Sequence, residues 1–399
     1  MSDSRILHEI TQSFIFLSWR TQAFVLALLI YGLFGSPTPD SYGWVEMAVG
    51  GLLLASLGLP DIREDGLFLS IMSACCFVPM VVGFMHGHDV EDMIRDIIPF
   101  LFLFLYPFYK DHLAALGESY YVVIAVVGFC FAARALIPYL DHFDLAHGFQ
   151  LGSPADLLYL ANSPEVLFCA LWCLVCAFIS FFFKGCVGRA VFFALLAFVP
   201  VLSMIFMVQR AGLTAVVLVL GGMLLLLLRT YPARVLVFGV VMGGICWALW
   251  PYLSEIFALL VRKTQLVGLN SRAQEWQTVL DLVFRDWVHA LFGYGWGMRF
   301  ENPAVGGLSV LFTHSLLSSL FLKMGVLGAG LVFTTLIFVV MKALPVLVQR
   351  RALFLILLFP LLISGGIYAS YKSLGFGLIL LVFFEKAHLK LEKKSSVVA

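Results

Sequence analysis

The chain has 399 residues, 62% hydrophobic and 12% charged, with a formal net charge of +1 and a mean hydropathy of +1.00. A water-soluble domain carries about 25% charged residues, so the composition excludes one, and no basic patch points to nucleic acid. Apolar runs long enough to cross a ~30 Å hydrocarbon core recur throughout, which predicts an all-α integral membrane protein of many spans.

Residues 1–20 are polar and weakly amphipathic and carry no secretory signal pattern, so the first apolar run is expected to be retained as a helix. The pattern predicts twelve spans, at 18–35, 43–59, 67–85, 94–109, 119–139, 164–183, 189–208, 212–228, 234–253, 325–343, 353–368 and 372–386. Several are short, which tilt or local thinning of the bilayer accommodates. The placement of Lys and Arg orients the bundle. One set of connections holds Arg5, Arg20, Arg63, Lys110, Lys184, Arg189, Arg229, Arg234, Lys342, Arg350, Arg351 and the tail lysines Lys386, Lys390, Lys393 and Lys394. The opposite short loops hold only Arg95, Arg210, Lys323 and Lys372. Both termini are therefore expected in the cytoplasm, with the long segment after the ninth span outside. Residues 309–322 are apolar enough to pass for another span, but crossing there would invert the charge bias of everything that follows; a short helix half-inserted at the outer rim fits better. The chain thus divides into N-terminal helices (1–253), an extracytoplasmic loop (254–324), and C-terminal helices with a cytoplasmic tail (325–399).

The eight cysteines, Cys75, Cys76, Cys130, Cys169, Cys173, Cys176, Cys186 and Cys246, fall in or beside apolar runs. Cys173 and Cys176 have CxxC spacing but no histidine nearby, so packing between helices is the expected role. The outward loop 140–163 holds Asp141, His142, Asp144, His147 and Asp156 around a Gly152-Ser153-Pro154 turn. It contains no HxxxH pair and no HExxH, and is expected to be a solvated loop or lid rather than a metal site. Arg134 lies inside the fifth predicted span, where a charge is a site candidate by default; an ion pair with Asp141 or Asp144 is the alternative.

Charges, caps, glycine turns and a histidine coexist mainly between Pro251 and Ser315. Ser271 with Gln274 three positions on matches a capping box and predicts a helix start. Trp276, Val279, Leu280, Val283, Phe284 and Trp287 then recur at helical spacing as one apolar face. Arg272, four residues before Trp276, falls on the packed side near the helix N-terminus, where a guanidinium beside free N–H groups makes an anion site; the alternative is a surface arginine on an interfacial helix. Arg210 ends an apolar run against the charge bias, either as a snorkelling flank or as a phosphate ligand. His314, in Thr313-His314-Ser315, is either a packed histidine or the base that takes a proton from a hydroxyl. Gly293-Tyr294-Gly295-Trp296-Gly297 lacks the strand–helix setting of a dinucleotide fingerprint and reads as a turn, with Tyr294 and Trp296 as interfacial anchors or sugar-stacking rings.

Three features resemble the O-antigen ligase/polymerase superfamily of bacterial membrane glycosyltransferases: Gln209-Arg210-Ala211-Gly212 at a helix end, the Ser271-Arg272 helix start followed by Phe292-Gly293-Tyr294-Gly295, and Thr313-His314-Ser315 leading to Lys323-Met324-Gly325-Val326-Leu327-Gly328. The resemblance covers residues 200–345; before them it rests on helix count and topology. It implies a GT-C-like fold in the bacterial inner membrane with the active loop periplasmic. It also implies catalytic roles for Arg210, Arg272 and His314, the arginines gripping the diphosphate of an undecaprenyl-diphosphate-linked glycan donor and the histidine standing near the acceptor hydroxyl, with no metal and no cofactor. Ser271, Gln274, Glu275, Tyr294, Trp296, Ser315 and Arg134 are the candidate substrate-binding residues. Many members have Asn after the histidine; here Ser315 stands there, and its hydroxyl can still hydrogen-bond. The implied reaction inverts the anomeric carbon, with His314 as base and Glu275 or Glu301 in reserve. A ligase acting on lipid A–core is favoured over a polymerase acting on a lipid-linked glycan, because one late loop dominates and loop 140–163 has no Lys or Arg. The reading from another class, a lipid-linked glycan transporter or flippase, requires mid-membrane charges and paired helix breaks; Pro360 with Gly365-Gly366 supplies one break.

Overall fold

The computed structural model describes residues 17–38, 43–140, 155–248 and 270–398, with isolated positions between 250 and 261, and its architecture is all-α apart from one small hairpin. Helices form where apolar runs meet side-chain caps. Ser18 accepts from the Thr21 N–H to open α1 (Trp19–Phe34), and Asp61 accepts from the Arg63 N–H to open α3 (Ile62–Met85), after α2 (Trp44–Ser56). Next come α4 (Val90–Leu101), α5 (Tyr106–Leu116), α6 (Ser119–Leu140), α7 (Ala155–Ala161) and α8 (Pro164–Phe178), the last extended by a π turn over Ile179–Phe183. Then follow α9 (Val187–Phe206), α10 (Arg210–Leu228) and α11 (Pro232–Ala248). Among the described residues, six helical stretches are long and apolar enough to cross a membrane: Ile62–Met85, Ser119–Pro138, Pro164–Phe183, Val187–Phe206, Arg210–Thr230 and Leu316–Gln349. Trp19–Phe34, Trp44–Ser56 and Arg351–Gly366 are apolar but shorter. The chain is a helical membrane protein, with fewer full-length spans in the described part than the twelve expected.

The expected span at 94–109 is not one helix. It is α4, a 3-10 turn at Phe102–Phe104, then α5. Pro107 lies in the first turn of the second helix, where its missing N–H has no intrahelical partner to lose.

The core sits around α16 (Leu374–Val398), whose stretch Leu374–Phe384 is buried on every side, and around α8, where Val166, Phe168, Ala170 and Leu171 are inaccessible. A helix apolar all round belongs at the centre of a bundle. The peripheral helices turn Leu195 and Phe198, Leu225 and Leu226, and Phe338 and Met341 outward, a surface suited to lipid. Arg134, on α6, is taken up by this framework. Its Nη1 donates to the Gly32 and Gly35 carbonyls at 3.1 and 2.8 Å, closing the end of α1 where helix carbonyls lack partners. Its expected partners Asp141 and Asp144 lie outside the described residues.

The loop segment is ordered by local chemistry. Helix α12 (Asn270–Val283) begins within a residue or two of the expected start but already includes Ser271, the expected cap, and it buries Val279 and Val283 completely. It stops earlier than its apolar pattern suggested. Asp286 accepts from the Val288 and His289 N–H groups and starts a new short helix, α13 (Trp287–Phe292), which leaves Phe284 57% and Trp287 72% exposed. The antiparallel hairpin of β1 (Phe300–Asn302) and β2 (Leu308–Val310) then pairs Phe300 with Val310, Glu301 with Ser309 and Asn302 with Leu308. The helix expected at 309–322 therefore starts only at Leu316, capped by the Ser315 hydroxyl, because Leu308–Val310 is used in the hairpin. This helix, α14 (Leu316–Gln349), breaks at Gly325, where φ is +63°, and so consists of a short buried segment and a long one. Helix α15 (Arg351–Gly366) follows and leads to α16.

Candidate functional site

The glycine turn is the foundation. Tyr294 and Gly295 donate their N–H groups to the Leu322 and Lys323 carbonyls of α14, and Trp296 donates to Pro79 O of α3 at 3.0 Å. Gly295 has φ +83°, and a Cβ there would meet Gly83 N at 2.2 Å and Pro79 O at 2.6 Å. Only glycine allows that approach. Beneath the turn, Lys323 Nζ lies 2.6 Å from Asp96 Oδ2, both side chains almost fully buried, and donates to Met298 O. Asp96 also accepts the Gly297 N–H at 2.6 Å. A buried pair of this kind needs its remaining hydrogen bonds satisfied, and the turn backbone supplies them.

On this base stands a histidine–carboxylate pair. Glu275, 3% exposed on α12, accepts the His314 backbone N–H at 2.8 Å through Oε1 and the His314 Nδ1–H at 2.6 Å through Oε2. Asn302, brought in by the hairpin, donates Nδ2 to the same Oε2. Burial works against a charged carboxylate, but the His314 ring and backbone contacts and the Asn302 amide outweigh it and hold Glu275 below the usual carboxylate range. An ionised Glu275 only accepts, so the His314 hydrogen sits on Nδ1 and Nε2 offers a lone pair. The flanking residues fix the position: buried Thr313 donates to Ser315 O at 2.8 Å, and Tyr371 donates to Thr313 O at 3.2 Å.

One turn before Glu275 on the same helix is Arg272, half-buried, its guanidinium carbon 5.7 Å from the centre of the Tyr368 ring. Burial raises the Tyr368 phenol, opposed by the Ala211 backbone in the first turn of α10 and by the charges of Arg272 and Arg210. Burial lowers the Arg272 guanidinium from its ordinary value, and the like charge of Arg210 adds to this, opposed by Tyr368 and Glu275. Among the described residues no carboxylate forms an ion pair with Arg272, since Glu275 spends both oxygens on His314 and Asn302. The approach to Arg210 is strained. Val208 has φ +53°, a region that costs a β-branched residue about 1–3 kcal/mol. Buried Gln209 leaves its Nε2 without a hydrogen-bond partner among the described residues.

On another side of His314 opens a cavity of about 280 Å³, lined among others by Arg95, Tyr159, Arg299, Asn302, Phe312 and Lys372. Lys372, 4% exposed, places Nζ 4.4 Å from the centre of the Phe312 ring and 5.1 Å from that of Tyr159. Arg299 grips Asp92 with two nitrogens at 2.5 and 2.7 Å, and this, against the effect of burial, holds the Asp92 carboxyl below its usual range.

The structure thus joins Glu275 to His314, places Arg272 one turn from Glu275 and Arg210 near enough for its charge to act on Arg272, and leaves other nominated residues in different positions. Trp296 is 2% exposed and donates its indole N–H to Cys76 O, so neither face is open to a sugar. Tyr294 stacks on His289 at 4.0 Å and donates to Leu282 O. Ser315 is a helix cap, Gln274 is exposed, and the Ser271 side chain lies outside the described residues, as do Asp141, His142, Asp144 and His147. Asn302 and Tyr368 were not singled out from the sequence. Asn302 carried a weak signal, a capping residue before Pro303; nothing marked Tyr368. Set against protein-family models and against curated proteins, the chain matches none.

Proposed function

We propose that this chain is a membrane glycosyltransferase that moves a glycan from a polyprenyl diphosphate, undecaprenyl diphosphate by the resemblance, onto a sugar hydroxyl. The observation that carries the reading is a histidine base whose tautomer is set by a buried carboxylate, Glu275, one helical turn from the half-buried Arg272, which also feels the charge of Arg210. In the reaction the acceptor hydroxyl oxygen forms a bond to the anomeric carbon and gives its proton to His314 Nε2. The bond from that carbon to the phosphate oxygen breaks, and the diphosphate leaves with the electron pair on its lipid. Arg210 and Arg272, with the Gln209 Nε2, which has no hydrogen-bond partner among the described residues, stabilise the negative charge that grows there. Attack opposite the leaving group inverts the carbon. Glu275 does not serve as base; it orients His314 and stabilises the imidazolium, as the acid member of a hydrolase triad does.

The site is assigned to the periplasmic face of a bacterial inner membrane. Arg95, Arg210, Lys323 and Lys372, the cations that depart from the charge bias, all belong to the constellation or to its supports, which supports one outward-facing site. Lipid A–core is the favoured acceptor and a second lipid-linked glycan the alternative. The test is transfer in vitro with purified protein, a lipid-diphosphate-linked glycan and each acceptor in turn. Product with wild type and none with His314→Ala is expected; a carrier that only moves the lipid-linked glycan forms no product with either. Deletion of the gene separates the acceptors: long chains left on the carrier lipid indicate a ligase, a single repeat on the core a polymerase.

A further inference from the structure

His86 follows the last residue of α3, and its Nδ1 lies 2.8 Å from the Val82 carbonyl. A carbonyl only accepts, so Nδ1 carries the hydrogen and Nε2 of the neutral ring is bare. His289, on α13, turns its Nδ1 to the Asp286 carboxylate, which fixes the same tautomer. Asp286 is itself held, its other oxygen accepting two backbone N–H groups at 3.0 Å each, and Tyr294 stacks on the His289 ring. The two Nε2 atoms consequently face each other at 3.3 Å. Between neutral rings this opposes lone pair to lone pair, an arrangement that a shared cation relieves. Two imidazoles on a tetrahedral ion with bonds of about 2.0–2.1 Å stand about 3.3–3.4 Å apart at their nitrogens. The separation in the structure matches. Metal-bound histidines also direct their second nitrogen to a backbone carbonyl or a carboxylate, and this pair has one of each.

We propose that His86 and His289 chelate a zinc ion that clamps the end of α3 to α13. Imidazole nitrogens favour borderline transition metals over Mg²⁺ or Ca²⁺, and the exposure of His86 leaves room for water to complete the tetrahedron. The clamp shares no residue with the His314–Glu275 pair and does not depend on the transferase reading. Its role is positional: α13 runs directly into the glycine turn, and His88, two residues beyond His86, bonds to Trp296 O at 2.8 Å. The ion ties both approaches to that turn.

The test uses full-length, tag-free protein in detergent, stripped with a chelator and titrated with Zn²⁺ against a chromophoric competitor. One Zn²⁺ per chain is expected, with Co²⁺ giving the visible absorption of a tetrahedral site and Zn²⁺ raising the melting temperature. His86→Ala and His289→Ala should each abolish all three signals. Asp286→Asn, which keeps a good helix cap, should weaken binding about 10–100-fold, and His88→Ala should bind as wild type does. Should the histidine variants fail to fold, the wild-type titration and Asp286→Asn still decide. Wild type that retains no Zn²⁺, or the same affinity in Asp286→Asn, overturns the proposal and leaves a proton as the shared cation.

Discussion

Replacing Glu275 by Gln keeps the side chain's volume and removes one acceptor. The two carboxylate oxygens serve three N–H donors: the His314 backbone at 2.8 Å, the His314 ring at 2.6 Å and Asn302 Nδ2. An amide has a single oxygen, so in either orientation its NH₂ meets at least one of those donors. With the NH₂ toward the ring, His314 shifts its hydrogen to Nε2 and can no longer take a proton from a hydroxyl. In hydrolase triads the equivalent carboxylate-to-amide change costs about 10⁴ in kcat, or about 5.5 kcal/mol at ~1.36 kcal/mol per decade. A fall of about 10³–10⁴ in kcat is expected here, with the KM for donor little changed because Arg210 and Arg272 are untouched. The assay is single-turnover transfer from a lipid-diphosphate-linked glycan, on protein whose size-exclusion profile matches wild type. The same variant tests the acid limb of stability. Glu275 is held below its ordinary 4.5 in the folded state, so the unfolded chain binds that proton more tightly. Its stabilising contribution is complete above that value and is lost as pH falls through the lower folded value. Wild type should therefore lose melting temperature more steeply than Glu275→Gln on acidification below about pH 4.5. A variant that transfers within tenfold of the wild-type rate refutes the orienting role.

Four further outcomes are expected. Arg272→Lys keeps the charge but loses the planar fork and the Tyr368 contact, and should lower kcat/KM about 10²–10³-fold, as loss of an oxyanion ligand does; near-normal kinetics would remove the diphosphate grip. Lys323→Met strands Asp96 in the core and should cost about 3–5 kcal/mol, read as a lower melting temperature in detergent, with Lys323→Met/Asp96→Asn recovering part of the loss. Gly295→Ala places a Cβ against Gly83 N and Pro79 O and should abolish monodisperse expression. Gly306→Ala, at φ +74° but with open space around it, should lose only about 1–2 kcal/mol.

What could be read from the chain was whatever depends on local periodicity. The apolar runs place most helices within a few residues, and the Ser271/Gln274 capping pattern marks the start of α12 to within a residue or two. The failures share a cause, competition between a local pattern and a partner distant in sequence. Trp296 looks like an interfacial ring until α3 offers it Cys76 O and Pro79 O. Residues 309 and 310 look like the start of a helix by hydropathy until β1 offers them a ladder. Arg134 looks like an intramembrane site charge or an ion-pair partner of Asp141 or Asp144, because the carbonyls that receive it belong to α1, about 100 residues earlier. Glu275 was visible beside Arg272, but that it orients His314 depends on contacts across 39 residues of sequence.

The charge bias carries more than topology. It left four cations in the wrong compartment, and their surroundings sort them by role. Lys323 is matched at 2.6 Å by a buried carboxylate and supports backbone, so its charge is spent on the fold. Arg95 is partly matched, with Glu91 at 2.7 Å and Asp92 at 3.6 Å, at the edge of the cavity beside His314. Lys372 lies over two aromatic faces on that cavity's wall. Arg210 is set at the start of α10, next to a strained Val208, and its charge repels Arg272. Like charges half out of water raise each other's cost unless something of opposite sign joins them. The acid one turn away on the same helix, Glu275, is committed to His314 and Asn302. Under the proposed reaction a diphosphate would bring that opposite charge to Arg272, which has no described carboxylate partner, and would carry it on the atoms that leave when His314 takes its proton.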